Sequence, residues 1–283
     1  MSAPYFNLSG KIAVVTGGAR GIGRGIAAAL ARHGADVAIV DRMPRAEARA
    51  ALQAIAASGR RAWYFRQDLS RTARLPALAK KIWSACGRAD ILVNNAGIAY
   101  LELFDAISLE HWRKVMSVNV DAMFFLTQHI ASRMIEAKIK GRVINLSSKN
   151  GLVAEAGLAH YNASKGAVEL LTQSLAIELG AHGITVNSIA PGIIETEIGG
   201  DFDIDPRFFE YYKEHIPLEH RFGEVDDVAG AAVFLAARAG AYMTGQHLVI
   251  DGGVLCEQVP RLQFMKASHR TPNHKDTKTR RRK

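Results

Sequence analysis

Short apolar runs alternate along the chain with longer segments in which apolar residues recur every three to four positions. The short runs predict buried strands and the longer segments predict helices. The predicted strands are residues 11–16, 36–40, 61–66, 91–93, 142–146, 184–189 and 247–250. The predicted helices are residues 22–33, 46–57, 75–86, 109–138, 158–181 and 225–237, with Ser108 placed to cap the fourth.

Strict alternation of apolar strands with helices predicts an α/β fold. We expect a doubly wound, mostly parallel seven-stranded sheet with helices on both faces, because parallel strands buried on both sides read as continuous apolar runs. The chain has 283 residues, of which 48% are hydrophobic. This size suits one domain, which we assign to residues 1–265.

Residues 195–221 interrupt this alternation and lie after a strand, at the sheet edge where open α/β sheets bind ligands. We interpret the segment as a mobile substrate lid, with an ordinary surface excursion as the alternative. It is rich in turn-forming and acidic residues, namely Gly199, Gly200, Asp201, Asp203, Asp205, Pro206 and Pro217.

The net charge of +9 is unevenly distributed, because residues 266–283 carry +7 of it. Such an apolar-poor tail is expected to be disordered and to give only weak, salt-sensitive nucleic-acid binding. Two cysteines, Cys86 and Cys256, are too few for a disulfide framework. With no recognisable signal peptide and no apolar stretch long enough to span a bilayer, the sequence predicts a cytoplasmic protein without membrane contact.

A glycine cluster stands between the first predicted strand and the first predicted helix. Gly17, Gly21 and Gly23 have the spacing G-x-x-x-G-x-G. Missing side chains let the backbone approach a pyrophosphate, to which the helix N-terminus offers free N–H groups. The position of the cluster therefore predicts a dinucleotide site in a single-domain Rossmann-type fold.

The residues after the second strand bear on which dinucleotide binds. Asp41 can accept hydrogen bonds from the adenosine ribose hydroxyls and would repel a 2′-phosphate, which favours NAD. Arg20 and Arg42 could instead bind that phosphate, so NADP remains possible. Asp68, after the third strand, is placed either to bond the adenine amino group or to cap the following helix.

Further motifs give the chain a clear family resemblance. They are the loop 16–23, Asn94-Asn-Ala-Gly97, Asn119, Ser148, Tyr161-x-x-x-Lys165, and Pro191-Gly192 with Thr196. In this order, over residues 8–253, the sequence resembles a classical short-chain dehydrogenase/reductase. The resemblance implies a homotetramer with dimer contacts through helices 109–138 and 158–181. It also implies a role for Asn119 beside the lysine, and cofactor contacts from Ile22, Leu69, Asn95, Ala96, Gly97, Pro191, Gly192, Ile194 and Thr196.

The chemistry of the catalytic residues follows from their types and spacing. Tyr161 and Lys165 are four apart on a predicted helix and share a face. A lysine cation near the phenol is expected to lower the tyrosine pKa, so that Tyr161 can exchange a proton with an alcohol. Lys165 can also bond the nicotinamide ribose, and Ser148 can bond the substrate oxygen. Ser147 is the alternative hydroxyl, although only Ser148 has the family spacing.

These residues predict hydride transfer between an NAD(P) cofactor and a small-molecule alcohol or ketone. We favour a sugar, polyol or small hydroxy compound over a 3-oxoacyl thioester, because acidic lid residues would repel an acidic carrier protein. A non-catalytic nucleotide-sensing or nucleic-acid-binding protein is the alternative from another class. No metal-ligand spacing or nucleophile elbow is recognised. The pocket is expected to use the lid together with Lys149, Asn150, Val153, Glu155, His160 and Ile194.

Overall fold

The structure, a computed structural model, describes residues 4–196, 205 and 207–256. Seven parallel strands form one sheet in the order β3-β2-β1-β4-β5-β6-β7. The strands are β1 Ile12–Thr16, β2 Asp36–Asp41, β3 Ala62–Arg66, β4 Ile91–Asn94, β5 Arg142–Leu146, β6 Thr185–Pro191 and β7 His247–Ile250. The strand order reverses direction between β1 and β4, and this switch point opens a crevice at the carboxyl ends of the strands.

Helices cover both faces of the sheet, which confirms the predicted doubly wound fold. They are α1 Gly21–Arg32, α2 Arg49–Ala57, α3 Leu75–Cys86, α4 Leu109–Met116, α5 Ala122–Glu136, α6 Ala159–Gly180, α7 Arg207–Glu214 and α8 Val225–Ala236. Alternate residues of β1 enter two separate cores. Val15 packs in the core with α1 and α8, whereas Val14 packs in the core with α3 and α5. This alternation is the period of two that a strand imposes on its side chains.

The long helix predicted over residues 109–138 is divided by one π-helical turn, Ser117–Asp121, between α4 and α5. The Ser108 hydroxyl accepts a hydrogen bond from the backbone N–H of His111 (3.0 Å), which confirms the predicted cap. A π turn adds one residue to a helical turn and often accompanies a functional residue. Here it contains Asn119, which is buried.

The segment 195–221 contains α7, a helix that the sequence interpretation missed. Its aromatic side chains pack together, with Phe208 against Tyr212 and both Phe209 and Tyr212 against Phe222. The helix was missed because its amphipathic pattern is only eight residues long and is interrupted by charged residues. Residues 197–204 and 206, which include five of the predicted lid residues, lie outside the described residues, as does the predicted tail 266–283.

Within the described ranges, none of the helices combines the length and the apolar character that crossing a membrane requires.

Candidate active site

The glycine loop between β1 and α1 can hold no side chain at its closest approach. A Cβ built on Gly23 would lie 2.1 Å from the carbonyl oxygen of Gly17. Gly17 and Gly21 have positive φ angles of 63° and 52°, a conformation that glycine adopts without strain. Arg20 precedes α1 without forming a side-chain cap, so the first N–H groups of the helix remain available to an anion.

A cavity of about 530 Å³ runs along the carboxyl edge of the sheet beside this loop. It brings together fifteen of the seventeen predicted cofactor-binding residues. Together with the glycine loop, the cavity fits a dinucleotide with its pyrophosphate at the N-terminus of α1. The predicted residues in its wall are Gly17, Arg20, Gly21, Ile22, Gly23, Asp41, Asp68, Leu69, Asn95, Ala96, Gly97, Tyr161, Lys165, Pro191 and Thr196.

The two other predicted cofactor residues lie in the chain that follows β6. A Cβ built on Gly192 would lie 3.0 Å from the Cα of Asp251, so the close approach to another loop explains this glycine. Ile194 forms a parallel bridge with Gly223 through the backbone groups of Ile193 and Glu195. The N–H and C=O of Ile194 take no part in that bridge.

At the adenosine end, Asp41 is tied to the backbone on both sides. One carboxylate oxygen accepts from the N–H of Ala19 and the other from the N–H of Met43, each at 3.1 Å. Asp41 is only 8% exposed, whereas Arg20 and Arg42 are exposed. The acid therefore supports the glycine loop in addition to placing a negative charge beside the cavity, a structural role that the sequence interpretation did not include.

The capping role considered for Asp68 is wrong. Its Oδ1 accepts from the N–H and the hydroxyl of Ser70, at 3.0 and 2.7 Å, and the residue that precedes the next helical turn is Arg71. Burial raises the pKa of the Asp68 carboxyl, but the bonds from Ser70 lower it, and the net pKa lies below its ordinary value. Ser70 also accepts a hydrogen bond from Lys114 Nζ (2.9 Å), a cavity residue that sequence reasoning missed.

The Asn94–Gly97 motif joins the glycine loop to the centre of the sheet. Asn95 Nδ2 donates to the carbonyl oxygens of Thr16 and Gly17, at 2.9 and 3.1 Å. Asn94 Nδ2 donates to Asn145 Oδ1 and Thr127 Oγ1, both at 2.9 Å. Asn94 thus has a structural role, while Asn95 holds the loop and also lines the cavity.

Tyr161 lies in the cavity wall, and Ser148 is close enough to its phenol to lower the pKa of Tyr161. Ser148 is 9% exposed, and its hydroxyl accepts a hydrogen bond from the backbone N–H of Asn150 (3.1 Å). The alternative hydroxyl, Ser147, instead donates to the backbone carbonyl oxygen of Lys165 (3.2 Å). A phenol and a serine hydroxyl placed near each other can hold one oxygen of a substrate between two donors.

The effect expected of Lys165 on the tyrosine pKa is wrong for this structure. Burial raises the pKa of Tyr161 above its ordinary value, while the bond from Ser148 and the charge of Lys149 lower it only in part. Lys165 Nζ donates to the carbonyl oxygen of Leu146 (2.7 Å) and lies 5.5 Å from the centre of the Tyr161 ring. Burial lowers the pKa of Lys165 to about 8.

Asn119 is held by the loop that follows β4. Its Oδ1 accepts from the N–H of Ile98, and its Nδ2 donates to the carbonyl of Ile98 and to Ser164 Oγ, at 2.9 to 3.0 Å. A Cβ built on Gly97 would lie 3.5 Å from both Asn119 Oδ1 and Lys165 Nζ. The two side chains therefore approach the same point of the backbone.

His160 does not line the substrate pocket as the sequence interpretation expected. It is fully buried, its Nδ1 accepts from the N–H of Tyr161 (2.9 Å), and its Nε2 lies 3.4 Å from Glu102. The cavity wall also includes residues that sequence reasoning missed. Lys114 and Val118 share a helical face at i, i+4, but no local motif marks them or the others, which are Val40, Gln67, Ile98, Ala99 and Leu146.

Comparison with known proteins agrees with this geometry. Residues 17–255 match a family model described as enoyl-(acyl carrier protein) reductase. The chain is 38% identical over 256 residues to gluconate 5-dehydrogenase of Gluconobacter oxydans, covering 90% of this chain and 98% of the relative. It is 40% identical over 249 residues to D-threitol dehydrogenase of Mycolicibacterium smegmatis, covering 88% and 94%.

A solved structure shares both fold and sequence with the chain. The short-chain type dehydrogenase/reductase from Mycobacterium marinum superposes with a TM-score of 0.84 at 33% identity, covering 89% of this chain and 98% of its own. The sheet order, the glycine loop and the placing of Tyr161 beside Lys165 are thus accompanied by similarity over nearly the whole domain. The chain belongs to the classical short-chain dehydrogenase/reductase family of NAD(P)-dependent oxidoreductases.

Proposed function

We propose that this chain interconverts a secondary alcohol and a ketone of a sugar, polyol or small hydroxy compound, with Tyr161 as the acid and base. The observation that carries the proposal is that Tyr161 and Lys165 lie together in the wall of a cavity suited to a dinucleotide, with Lys165 Nζ 5.5 Å from the centre of the Tyr161 ring. The names of the gluconate and threitol dehydrogenases to which the chain is similar support a polyhydroxylated substrate.

In this proposal each catalytic residue has one task. NAD(P), when bound, accepts or supplies the hydride. Tyr161 takes the hydroxyl proton during oxidation and returns it during reduction. Ser148 donates to the substrate oxygen as negative charge develops there. Lys165, fixed by Leu146 and directed to the point that Asn119 also approaches, holds its ammonium beside the tyrosine and the cofactor ribose.

The proposal is tested by following NADH or NADPH absorbance with a panel of sugars, polyols, sugar acids and simple secondary alcohols. We expect turnover with one polyhydroxylated compound at a kcat/KM at least tenfold above that of a simple secondary alcohol. Turnover confined to acyl thioesters would contradict it.

The runner-up function is reduction of a 3-oxoacyl thioester, and the carrier-protein reductase description of the family model supports it. The argument from lid acids against this function is weakened at Asp205, whose carboxylate is paired with Arg207 Nε (2.9 Å). Asp201 and Asp203 lie outside the described residues. The charged pair Lys149–Glu155, which follows Ser148 in the chain, fits a hydrophilic substrate better than an acyl chain.

For the cofactor we propose NAD, with NADP as the alternative. Replacing Asp41 with alanine removes the charge that repels a 2′-phosphate and leaves Arg20 and Arg42 to attract it. We expect the kcat/KM ratio of NADP to NAD to rise at least tenfold. Asp41→Asn distinguishes the effect of the negative charge from the effect of the hydrogen bonds that support the glycine loop. It removes the charge but keeps one oxygen that can accept from the N–H of Ala19 or Met43. If the wild-type enzyme already prefers NADP, attraction of the 2′-phosphate by Arg20 and Arg42 outweighs its repulsion by Asp41.

We propose a cytoplasmic homotetramer in which α5 and α6 form one dimer contact. Large apolar side chains stand exposed on these helices, with Phe125 at 41%, Leu170 at 67% and Ile177 at 82% exposure. Covering such positions against a second copy would remove apolar surface from water. Sedimentation of the purified protein measures the oligomeric state.

We propose that residues 266–283 form a dispensable basic tail outside the catalytic domain 1–265. Truncation after Met265 is expected to leave Tm and turnover unchanged while lowering retention on DNA or an acidic resin. A several-fold rise in the KM for substrate would instead indicate that the tail contributes to an active site. Absence of turnover in the full-length chain, together with specific DNA binding that the truncation abolishes, would support the non-catalytic alternative.

A further inference from the structure

A partly buried ion pair begins at the residue after Ser148. Lys149 Nζ donates to Glu155 Oε2 at 2.9 Å, and the two side chains are 8% and 31% exposed. Burial alone would lower the pKa of the Lys149 ammonium, but the bond to Glu155 raises the pKa above its ordinary value. The ammonium and the carboxylate therefore stabilise each other within one hydrogen-bonded pair next to Ser148.

Two asparagines join this pair to both catalytic residues. Asn150 Nδ2 donates to Glu155 Oε2 (3.2 Å) and to Asn162 Oδ1 (3.0 Å), and the Asn150 N–H donates to Ser148 Oγ (3.1 Å). Asn162, which follows Tyr161 in α6, donates from Nδ2 to the Glu155 carbonyl (2.9 Å). The pair thus lies between the turn that begins at Ser148 and the start of the helix that carries Tyr161.

The charges of the pair act on the phenol of Tyr161 and lie close to α7. Lys149 lowers the pKa of Tyr161 and Glu155 raises it, so the two charges have opposite effects on the protonation of the catalytic oxygen. Lys149 Nζ also lies 5.5 Å from the centre of the Tyr212 ring in α7. The ammonium is therefore covered by Tyr212 and Glu155, while the carboxylate is the more accessible member.

A substrate group that reaches this region meets a neutral but strongly polar surface. A hydroxyl can donate to the Glu155 carboxylate or accept from the Lys149 ammonium without separating them. A carboxylate would have to lie beside the carboxylate of Glu155, or displace it from Lys149 and leave it without a cation. Either arrangement disfavours an anionic group next to the reacting carbon.

We infer that the Lys149–Glu155 pair is a specificity-determining element that selects neutral polyhydroxy substrates and rejects sugar acids. The inference rests on the proposed function, because it concerns the substrate of the same site. The relatives differ in this property, because a gluconate dehydrogenase by its name acts on an acid and a threitol dehydrogenase on a neutral polyol. The inference therefore places the substrate of this chain with the neutral polyol.

The test compares substrates that differ only in one terminal group. Threitol and threonate, and glucitol and gluconate, are matched pairs in which a hydroxymethyl group replaces a carboxylate. We take the pair that contains the compound with the higher kcat/KM. Within that pair, we expect kcat/KM of the full-length wild-type enzyme to be at least tenfold higher for the neutral member, mainly because its KM is lower. Inhibition of the neutral substrate by the matched acid gives a second measure, with an inhibition constant at least tenfold above that KM.

Two variants of Glu155 separate its charge from its shape. Glu155→Gln keeps an oxygen that can accept from Lys149 but removes the negative charge, so the preference should shift at least tenfold towards the acid. Glu155→Asp keeps the charge and should retain the preference for the neutral member. Tm and NADH binding of both variants, measured beside the wild type, establish that each is folded.

The outcomes distinguish the inference from the function on which it rests. A wild-type enzyme that uses the acid as efficiently as the neutral compound overturns the inference and leaves the proposed function intact. An unchanged preference in folded Glu155→Gln also overturns it. Absence of turnover with every sugar, polyol and sugar acid overturns the proposed function and the inference together.

Discussion

Replacing Tyr161 with phenylalanine is expected to lower kcat by at least about 10²-fold, the usual effect of losing acid–base catalysis. The substitution removes one oxygen and keeps the ring that lies against Lys165. Tm and the affinity for NADH should therefore stay near their wild-type values. The measurement is steady-state turnover in both directions, combined with NADH fluorescence titration.

A tyrosine far from the cavity provides the matched control for this substitution. Tyr242 is fully exposed, and Tyr242→Phe removes the same oxygen without touching the site. We expect its turnover to equal that of the wild type. Near-normal turnover of Tyr161→Phe would contradict the catalytic assignment, whereas loss of NADH binding in that variant would indicate a structural role for the hydroxyl.

The strands and most helices could be predicted because their local pattern and their tertiary role agree. The bounds of α3, β5 and β7 coincide with the predicted segments 75–86, 142–146 and 247–250. In each of these, the apolar residues end where turn-forming or polar residues begin. Hydrophobic burial and the turn-forming residues therefore indicate the same end of the helix or strand. The glycine loop was predictable for a related reason, since its residue types have few other uses between a strand and a helix.

The parts that could not be predicted depend on contacts between distant residues. The π turn at Asn119 is held by bonds to Ile98 and Ser164, which no local periodicity records. The pKa of Tyr161 depends on its burial and on Lys149, so its spacing from Lys165 gave the wrong expectation. Even a recognised motif therefore leaves the electrostatics of its residues to the tertiary structure.

Replacing Gly23 with alanine is expected to raise the dissociation constant for NAD at least about tenfold, a loss of about 1.4 kcal/mol. The new Cβ would lie 2.1 Å from the Gly17 carbonyl oxygen and 2.4 Å from Asn95 Nδ2. Both neighbours belong to the structure that shapes the loop, so the backbone must move away from the position that receives the pyrophosphate. Overpacking of this kind also destabilises the folded state by about 1–3 kcal/mol.

The chain offers a glycine-to-alanine control in another helix. Gly230 is exposed within α8, and a Cβ built on it meets nothing within 4 Å. Gly230→Ala should therefore raise the free energy of unfolding by about 0.5–1 kcal/mol, because alanine is the better helix former. Isothermal titration with NAD and denaturant unfolding of both variants provide the comparison. If Gly23→Ala bound NAD as tightly as Gly230→Ala, the pyrophosphate would not contact this loop, and the cofactor would have to lie elsewhere along the cavity.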